Sequence, residues 1–369
     1  MPGRAPRIEP PDQEAVRGMH SQRPAGRSSQ PRRLVILHAD DFGMNDAVNR
    51  GIIDGFTHGL LTSTAVLANA PGCSSALAAW KELQARFGRG ELPSADSRRR
   101  LADSHAPLDL GIHLNLTQGR PLTGSAYPAQ LLSKSGTFPG IFGLAVRLLA
   151  SRWKYQNAIR SELCAQIEML LDHGIAPSHL NGHQYVETLP VVSAMIPELL
   201  KRYAISVVRM PWERHLTKTT LVHRFEPANW CLAQIKRLFA CHYLVRMRRH
   251  AVVYSADYFG TSHAGRVDLE LMRQFLGAAR SGITEIGLHP GTLIGTKRAS
   301  ESSDDWHDPL AQTRPRELSL LVSSELVELL ATQQVSLGRL GDLAVRQNSR
   351  SPLQQFAMAN LQWPICNPP

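Results

Sequence analysis

The chain alternates between two apolar patterns. Short continuous runs rich in branched residues end at turn residues: Leu34-Val35-Ile36-Leu37-His38-Ala39 leads into Asp40-Asp41-Phe42-Gly43, and Ile205 to Met210 leads into Pro211. Between such runs lie segments whose apolar residues recur every three or four positions, as Val48, Ile52 and Phe56 do, or Ile159, Leu163, Ile167 and Leu170. The first pattern marks a strand buried on both faces, the second an amphipathic helix packed against it. Asp109 to Leu116 alternates strictly, with Leu110, Ile112, Leu114 and Leu116 on one side, so His113 and Asn115 share the other. Strands are predicted near residues 35, 64, 112, 180, 207, 253, 286 and 337. Helices are predicted from Asn45 or Asp46 to Gly59, from Pro71 onward, over 141–153 and 155–173, from Pro190 to Tyr203, over 268–280, and as one long helix over 314–334. Such alternation of β and α elements makes a parallel sheet or barrel.

Parallel strands of α/β proteins carry their chemistry at their carboxyl ends. The first strand ends in Asp40 and Asp41. Adjacent carboxylates repel, and a divalent cation relieves the repulsion, leaving one carboxylate as ligand and its neighbour as base. Asp-Asp-x-Gly after a strand also occurs as a plain loop and helix cap, so the motif alone does not decide. Three later strand ends carry histidine: Gly111-Ile112-His113-Leu114-Asn115-Leu116, His179-Leu180-Asn181-Gly182-His183-Gln184 and Glu285-Ile286-Gly287-Leu288-His289-Pro290-Gly291. One Asp with two His is a common catalytic metal set that keeps positions open for water, and a further His suits a general acid.

Ala39-Asp40-Asp41-Phe42-Gly43, then Thr62-Ser63-Thr64, then the Gly-Ile-His-Leu-Asn-Leu run and Leu288-His289-Pro290 follow one another as in the YdjC-like carbohydrate deacetylase family, which the chain resembles over 33–345. The resemblance implies a distorted TIM-like (β/α) barrel of seven or eight parallel strands with helical insertions. It also implies metal-dependent removal of an N-acetyl group from an amino sugar, free or lipid-linked. On this resemblance Asp41, His113 and His183 bind one divalent ion (Mg2+ or Zn2+), Asp40 is the base and His289 the acid. Asn115, Arg209 and Tyr258 fall to substrate binding or to support of the ligands. Tyr258 lies in Asp257-Tyr258-Phe259-Gly260, similar to an aromatic-Gly loop of the family. Arg209 stands before Pro211, where a bidentate contact would hold the free Asp ionised; packing on Trp212 is its plain alternative. One stretch departs from the family. In Asn181-Gly182-His183-Gln184-Tyr185-Val186-Glu187 the ligand His183 stays, but Tyr185 and Glu187 stand where histidines are frequent, and Asn181 replaces an acidic residue.

Composition narrows the setting. With 369 residues, 43% hydrophobic and 20% charged, the chain reads as soluble and globular, one barrel-sized domain with tails. The expected organisation is a basic disordered tail over 1–32, a barrel over 33–345 with a surface insertion at 88–107 and a basic helical insertion at 215–250, and a tail over 346–369. No apolar run has membrane length, and 1–33 lacks the apolar core of a secretory signal. The five cysteines show no Cys-x-x-Cys spacing, as expected of reduced thiols in a cytoplasmic protein. The net charge of +10 raises nucleic acid or an anionic membrane as partners. No nucleic-acid motif is present, so nucleic acid is not expected. The 215–250 segment reads either as peripheral contact with the inner face of a membrane or as a helix packed on the barrel with a solvated basic face. A homodimer is compatible with this picture. Two other functions fit the residues: a metal-dependent phosphoesterase, which would usually want more His and Asp ligands and a second metal, and a non-catalytic sugar- or lipid-binding homologue.

Overall fold

The computed structural model describes residues 33–91, 108–151, 154–213, 227–255, 257–279, 282–293 and 306–344. The two expected tails, most of the 88–107 insertion and residues 214–226 lie outside them. Among the described residues nine parallel strands form one sheet: β1 (Arg33–Phe42), β2 (Ser63–Val66), β3 (Leu110–Leu114), β4 (His179–Gly182), β5 (Val207–Val208), β6 (Val253–Tyr254), β7 (Asp257–Phe259), β8 (Ile283–Leu288) and β9 (Val335–Leu337). They lie in the order β6-β5-β4-β3-β2-β1-β8-β7, with β9 added to β1. The curled sheet and its surrounding helices make the expected distorted TIM-like α/β barrel. It is incompletely closed, because β6 and β7 follow one another in the chain yet end the sheet on opposite sides.

β1 organises the sheet. Its apolar run is buried on both faces, and it pairs with β8 over Leu34–Ala39, with β2 from His38 onward and with β9 over Arg33–Val35. β9 therefore fills the part of β1's edge below the point where β2 begins. β7 is the strand the sequence missed. Its alternation explains it: Tyr258 faces the barrel interior beneath Arg209, while Phe259 faces outward and stacks on Phe275 at 4.9 Å. At the amino ends of the strands Ile36 and Val207 meet Leu340 and Leu343, with Val253 and Ile283 against them, so an apolar plug closes the bottom of the barrel.

The helices are α1 (Asp46–Thr57), α2 (Cys73–Gly88), α3 (Gly140–Ser151), α4 (Gln156–Asp172), α5 (Pro190–Ser193), α6 (Ile196–Arg202), α7 (Pro227–Arg249), α8 (Leu269–Ala278), α9 (Arg314–Leu321) and α10 (Ser324–Thr332). Asn45 rather than Asp46 caps α1, accepting a hydrogen bond from the Val48 N–H. The helix predicted over 314–334 is two, because the Ser323 side chain caps a new helix by accepting from Leu326 N–H. The apolar stripe of α4 is core, as expected, but its buried Glu162 and Gln166 hold the following loops: Glu162 accepts from Leu122 and Thr123, and Gln166 exchanges bonds with the Asn115 backbone. Cys73 and Cys164 are buried free thiols, whereas Cys241 is disulfide-bonded, which corrects the expectation of uniformly reduced cysteines. No helix among the described residues is long and apolar enough to cross a membrane.

Candidate active site

Neighbouring residues on a strand point to opposite faces, so a regular β1 would send Asp40 inward and Asp41 outward. Asp41 instead takes a left-handed backbone, φ 69°, and the β1–β2 register shifts between Ala39 and Phe42. That irregularity turns the second carboxylate back over the barrel mouth. Gly43 follows, its N–H donating to the Asn49 side chain at 2.7 Å. The two carboxylates then meet histidines from the adjoining strands. His183 Nδ1 lies 2.9 Å from Asp41 Oδ1, and His113 Nε2 lies 3.5 Å from the same oxygen. Donor atoms of Asp41, His113 and His183 all fall within 4.8 Å of one another, and all three residues are buried. Ligand atoms sharing one ion at bonds of about 2.1 Å stand about 3.0–3.5 Å apart, so the Asp41 separations fit one small divalent cation.

The register of the sheet supplies the support. His113 is paired with Asn181 across β3 and β4, and His113 Nδ1–H donates to Asn181 Oδ1 at 2.7 Å. This aims His113 Nε2 at Asp41, and loss of the proton on that nitrogen leaves the tautomer that a metal needs. The Asn181 amide in turn donates to Asp40 Oδ1 at 3.0 Å. Asn181 thus ties His113 to Asp40. His183 follows β4 at the start of a 3-10 segment, His183–Thr188, in which Gln184 and Tyr185 are left-handed. Gly182 precedes it, where a Cβ would press on the Glu187 carboxylate and stand 3.1 Å from the Glu187 backbone nitrogen.

Two arginines neutralise the two carboxylates from different directions. Arg209, at the end of β5, donates from Nη1 to both oxygens of Asp40, at 2.8 and 2.6 Å, and from Nε to Glu285 at 2.6 Å. Arg314, at the first position of α9, donates to Asp41 Oδ2 at 2.7 Å and grips Asp308 from Nε and Nη2. Burial works against ionisation of both aspartates, but Arg209 and Arg314, with the nearby histidines, hold both well below the usual carboxylate range. His113 moves up: burial opposes its charge, and Asp40 and Asp41 outweigh it. His289 moves down, because burial outweighs the same two carboxylates. Its Nε2 lies 3.8 Å from Asp40 Oδ2, its Nδ1 has no partner, and its N–H donates to buried Glu317.

The other candidates divide. Tyr258 lies within the site wall, its ring 5.1 Å from the Arg209 guanidinium and its hydroxyl 3.3 Å from that of Tyr185. Lys236 of α7 reaches the outside of the same wall, 5.0 Å from the Tyr185 ring. Asn115 does not face the donors directly. Its side chain accepts from Thr117 and Gln118 N–H groups and donates to Asn69 and the Gln118 carbonyl, folding the loop that brings the Gln118 amide 3.3 Å from His183 Nε2.

The chain matches the model of the family described as YdjC-like protein over residues 34–332. It belongs to the YdjC-like family. Among curated relatives it is 29% identical to a human carbohydrate deacetylase, over 85% of this chain and 92% of that one. It is 27% identical to a Vibrio cholerae carbohydrate deacetylase, over 82% and 93%. With a Geobacillus stearothermophilus carbohydrate deacetylase it shares 33% identity over 47% of this chain and 59% of the relative. A crystal structure of an Enterococcus faecalis protein, provisionally described as a cellobiose-phosphate cleavage protein, superposes with a TM-score of 0.61 at 19% identity over 85% of this chain, a likeness of fold.

In this YdjC-like barrel several site residues escape a reading of the sequence. Arg314 is 273 positions from the aspartate it touches, and nothing local marks it. His38 did carry a signal, since it lies two before Asp40 and so shares its face. Its Nε2 is 3.2 Å from Asp40 Oδ1, and its Nδ1 is 3.1 Å from Ser63 Oγ, which donates to Asp109. Burial, helped by Arg209, pushes His38 down to about 3, so it is a neutral polar strut beneath Asp40. Glu187 is buried with neither oxygen bonded, and burial pushes it up to about 8.

Proposed function

We propose that the protein is a metal-dependent hydrolase that removes the N-acetyl group from an amino sugar. The observation that carries the reading is the convergence of Asp41, His113 and His183 on one buried point, with Asp40 and His289 beside it. The names of the relatives support the sugar and the acetyl group. Asp41, His113 and His183 would hold one divalent ion, Mg2+ or Zn2+. Bound there, such an ion supplies Lewis-acid polarisation of the acetyl carbonyl and a lowered pKa for attacking water. Asp40 accepts the water's proton on Oδ2, the oxygen nearer His289, which Arg209 bonds and Asn181 does not. His289 delivers a proton from Nε2 to the departing nitrogen as the C–N bond breaks, and the 3.8 Å gap to Asp40 lets it be reloaded with the proton Asp40 received. Once charged by that transfer it gives the proton up readily, because burial lowers its proton affinity. Arg209 and Tyr258 form the wall against which the sugar lies. The domain that carries this chemistry is the barrel over 33–345, in a cytoplasmic protein.

The deciding experiment measures acetate release from a panel of N-acetylated sugars by metal-loaded protein, chelated protein and His113→Ala. Release that needs metal and disappears with the substitution supports the reading; release unaffected by chelation removes the ion from it. Two further outcomes follow. His289→Ala should lower kcat by about 100-fold or more at unchanged metal content, a split measured by kinetics beside elemental analysis. Metal occupancy should rise with pH: His113 holds its proton to higher pH than an ordinary histidine, and that proton must leave before its nitrogen can bind. Equilibrium dialysis across mildly acidic to neutral pH would reveal a flat profile if His113 were not a ligand.

A further inference from the structure

The outer face of α7 is unusual for a soluble barrel. At about 100° per residue Ile235, Leu238, His242, Val245 and Arg249 fall within a sector of about 80°. Leu238 is 73% exposed, Ile235 46% and Val245 45%. The opposite face is core, with Ala240, Tyr243, Leu244 and Met247 buried. Cations flank the exposed apolar stripe on both sides, Arg246 on one and Arg237 on the other, with Arg249 on the stripe itself. Across Pro227–Arg249 the sequence has Lys236, Arg237, Arg246, Arg248 and Arg249 and no acidic residue. Another exposed apolar stripe among the described residues, Phe142, Val146 and Leu149 on α3, has only Arg147 within its helix and lacks this charge signature.

We propose that α7 rests on an anionic lipid bilayer, with Ile235, Leu238 and Val245 among the acyl chains and Arg237, Arg246 and Arg249 among the phosphates. An apolar stripe bordered by cations is the pattern of helices that lie in the membrane interface, where long basic side chains reach the headgroups. Charge decides the occupant. A second copy of the chain would bring two acid-free, fivefold basic helices together, whereas a leaflet of acidic lipids neutralises them. The inner face of α7 packs on the 183–188 segment and carries Lys236 against Tyr185, so the membrane side and the site wall are two faces of one helix. The surface stands apart from the proposed chemistry, and it is tested without a sugar substrate.

The test is co-sedimentation of the full chain with vesicles of phosphatidylcholine alone and of phosphatidylcholine with phosphatidylglycerol. Wild type should be retained only by the anionic vesicles, less so as salt rises, with a residue of binding that salt does not remove. Leu238→Glu with Val245→Glu should cut retention about tenfold or more, and Arg237→Gln with Arg249→Gln should weaken it and flatten its salt dependence. Both variants should melt like wild type, since the side chains are exposed. Absence of retention by anionic vesicles at low salt, or equal retention of wild type and the glutamate variant, overturns the proposal. So does light scattering that finds wild type dimeric and the glutamate variant monomeric, which would make the stripe a contact between copies.

Discussion

Asp40→Asn is expected to keep its divalent ion and lose about three orders of magnitude in kcat, the scale of a missing general base. The amide still accepts from Arg209 but cannot take a proton from water. Asp41→Asn is the paired experiment. It should lose both metal and turnover, because Asp41 alone of the two carboxylates lies against His113 and His183. Elemental analysis and kinetics on the two variants separate the roles. The opposite pattern, metal lost from the Asp40 variant and kept by the Asp41 variant, would exchange the two assignments.

Arg209→Leu should produce the largest loss of stability. Arg209 is fully buried and bonded to Asp40 and Glu285, so its removal strands two carboxylates in the interior. Breaking a buried pair in this way costs about 3–5 kcal/mol, which lowers the melting temperature of a domain of this size by roughly 10 °C. The pH dependence has a definite sign. The Asp40 carboxyl is depressed in the folded protein, so the pair's contribution is complete above the unfolded carboxylate pKa and is lost as the pH falls through the depressed value. The gap in melting temperature between wild type and variant should therefore be widest near neutrality and narrow in strong acid. A gap that stays constant down to strong acid would mean that lost packing, not lost charge pairing, destabilises the variant.

Periodicity was enough to find eight of the nine strands, because a buried parallel strand leaves a continuous apolar run. β7 escaped because Asp257-Tyr258-Phe259 begins on a charged residue, has no branched apolar run and ends at Gly260, the marks of a loop. The long helix predicted over 314–334 failed for a different reason: its apolar spacing continues across Val322 and Ser323, while a single serine side chain resets the backbone. At the site, strand-end histidines and the aspartate pair were legible since their positions follow from where strands stop. Arg209 was legible for the same reason. Arg314 was not, because the contact that matters joins a helix start to a strand end 273 positions away, and only the pairing of β8 and β9 with β1 brings them together. Asn115 shows the limit of face-sharing. It lies on the side of β3 that His113 uses, yet its amide is consumed by the turn that follows.

The left-handed backbone at Asp41 makes this position one where tolerance and competence diverge. Asn and Gly accept such a conformation readily, whereas branched residues resist it. A library of all substitutions at residue 41, scored separately for soluble expression and for turnover, should rank Gly and Asn near wild type in the first screen and with the inactive variants in the second. Val and Ile should fail both. At this position the expression screen would report on backbone geometry and the turnover screen on the carboxylate.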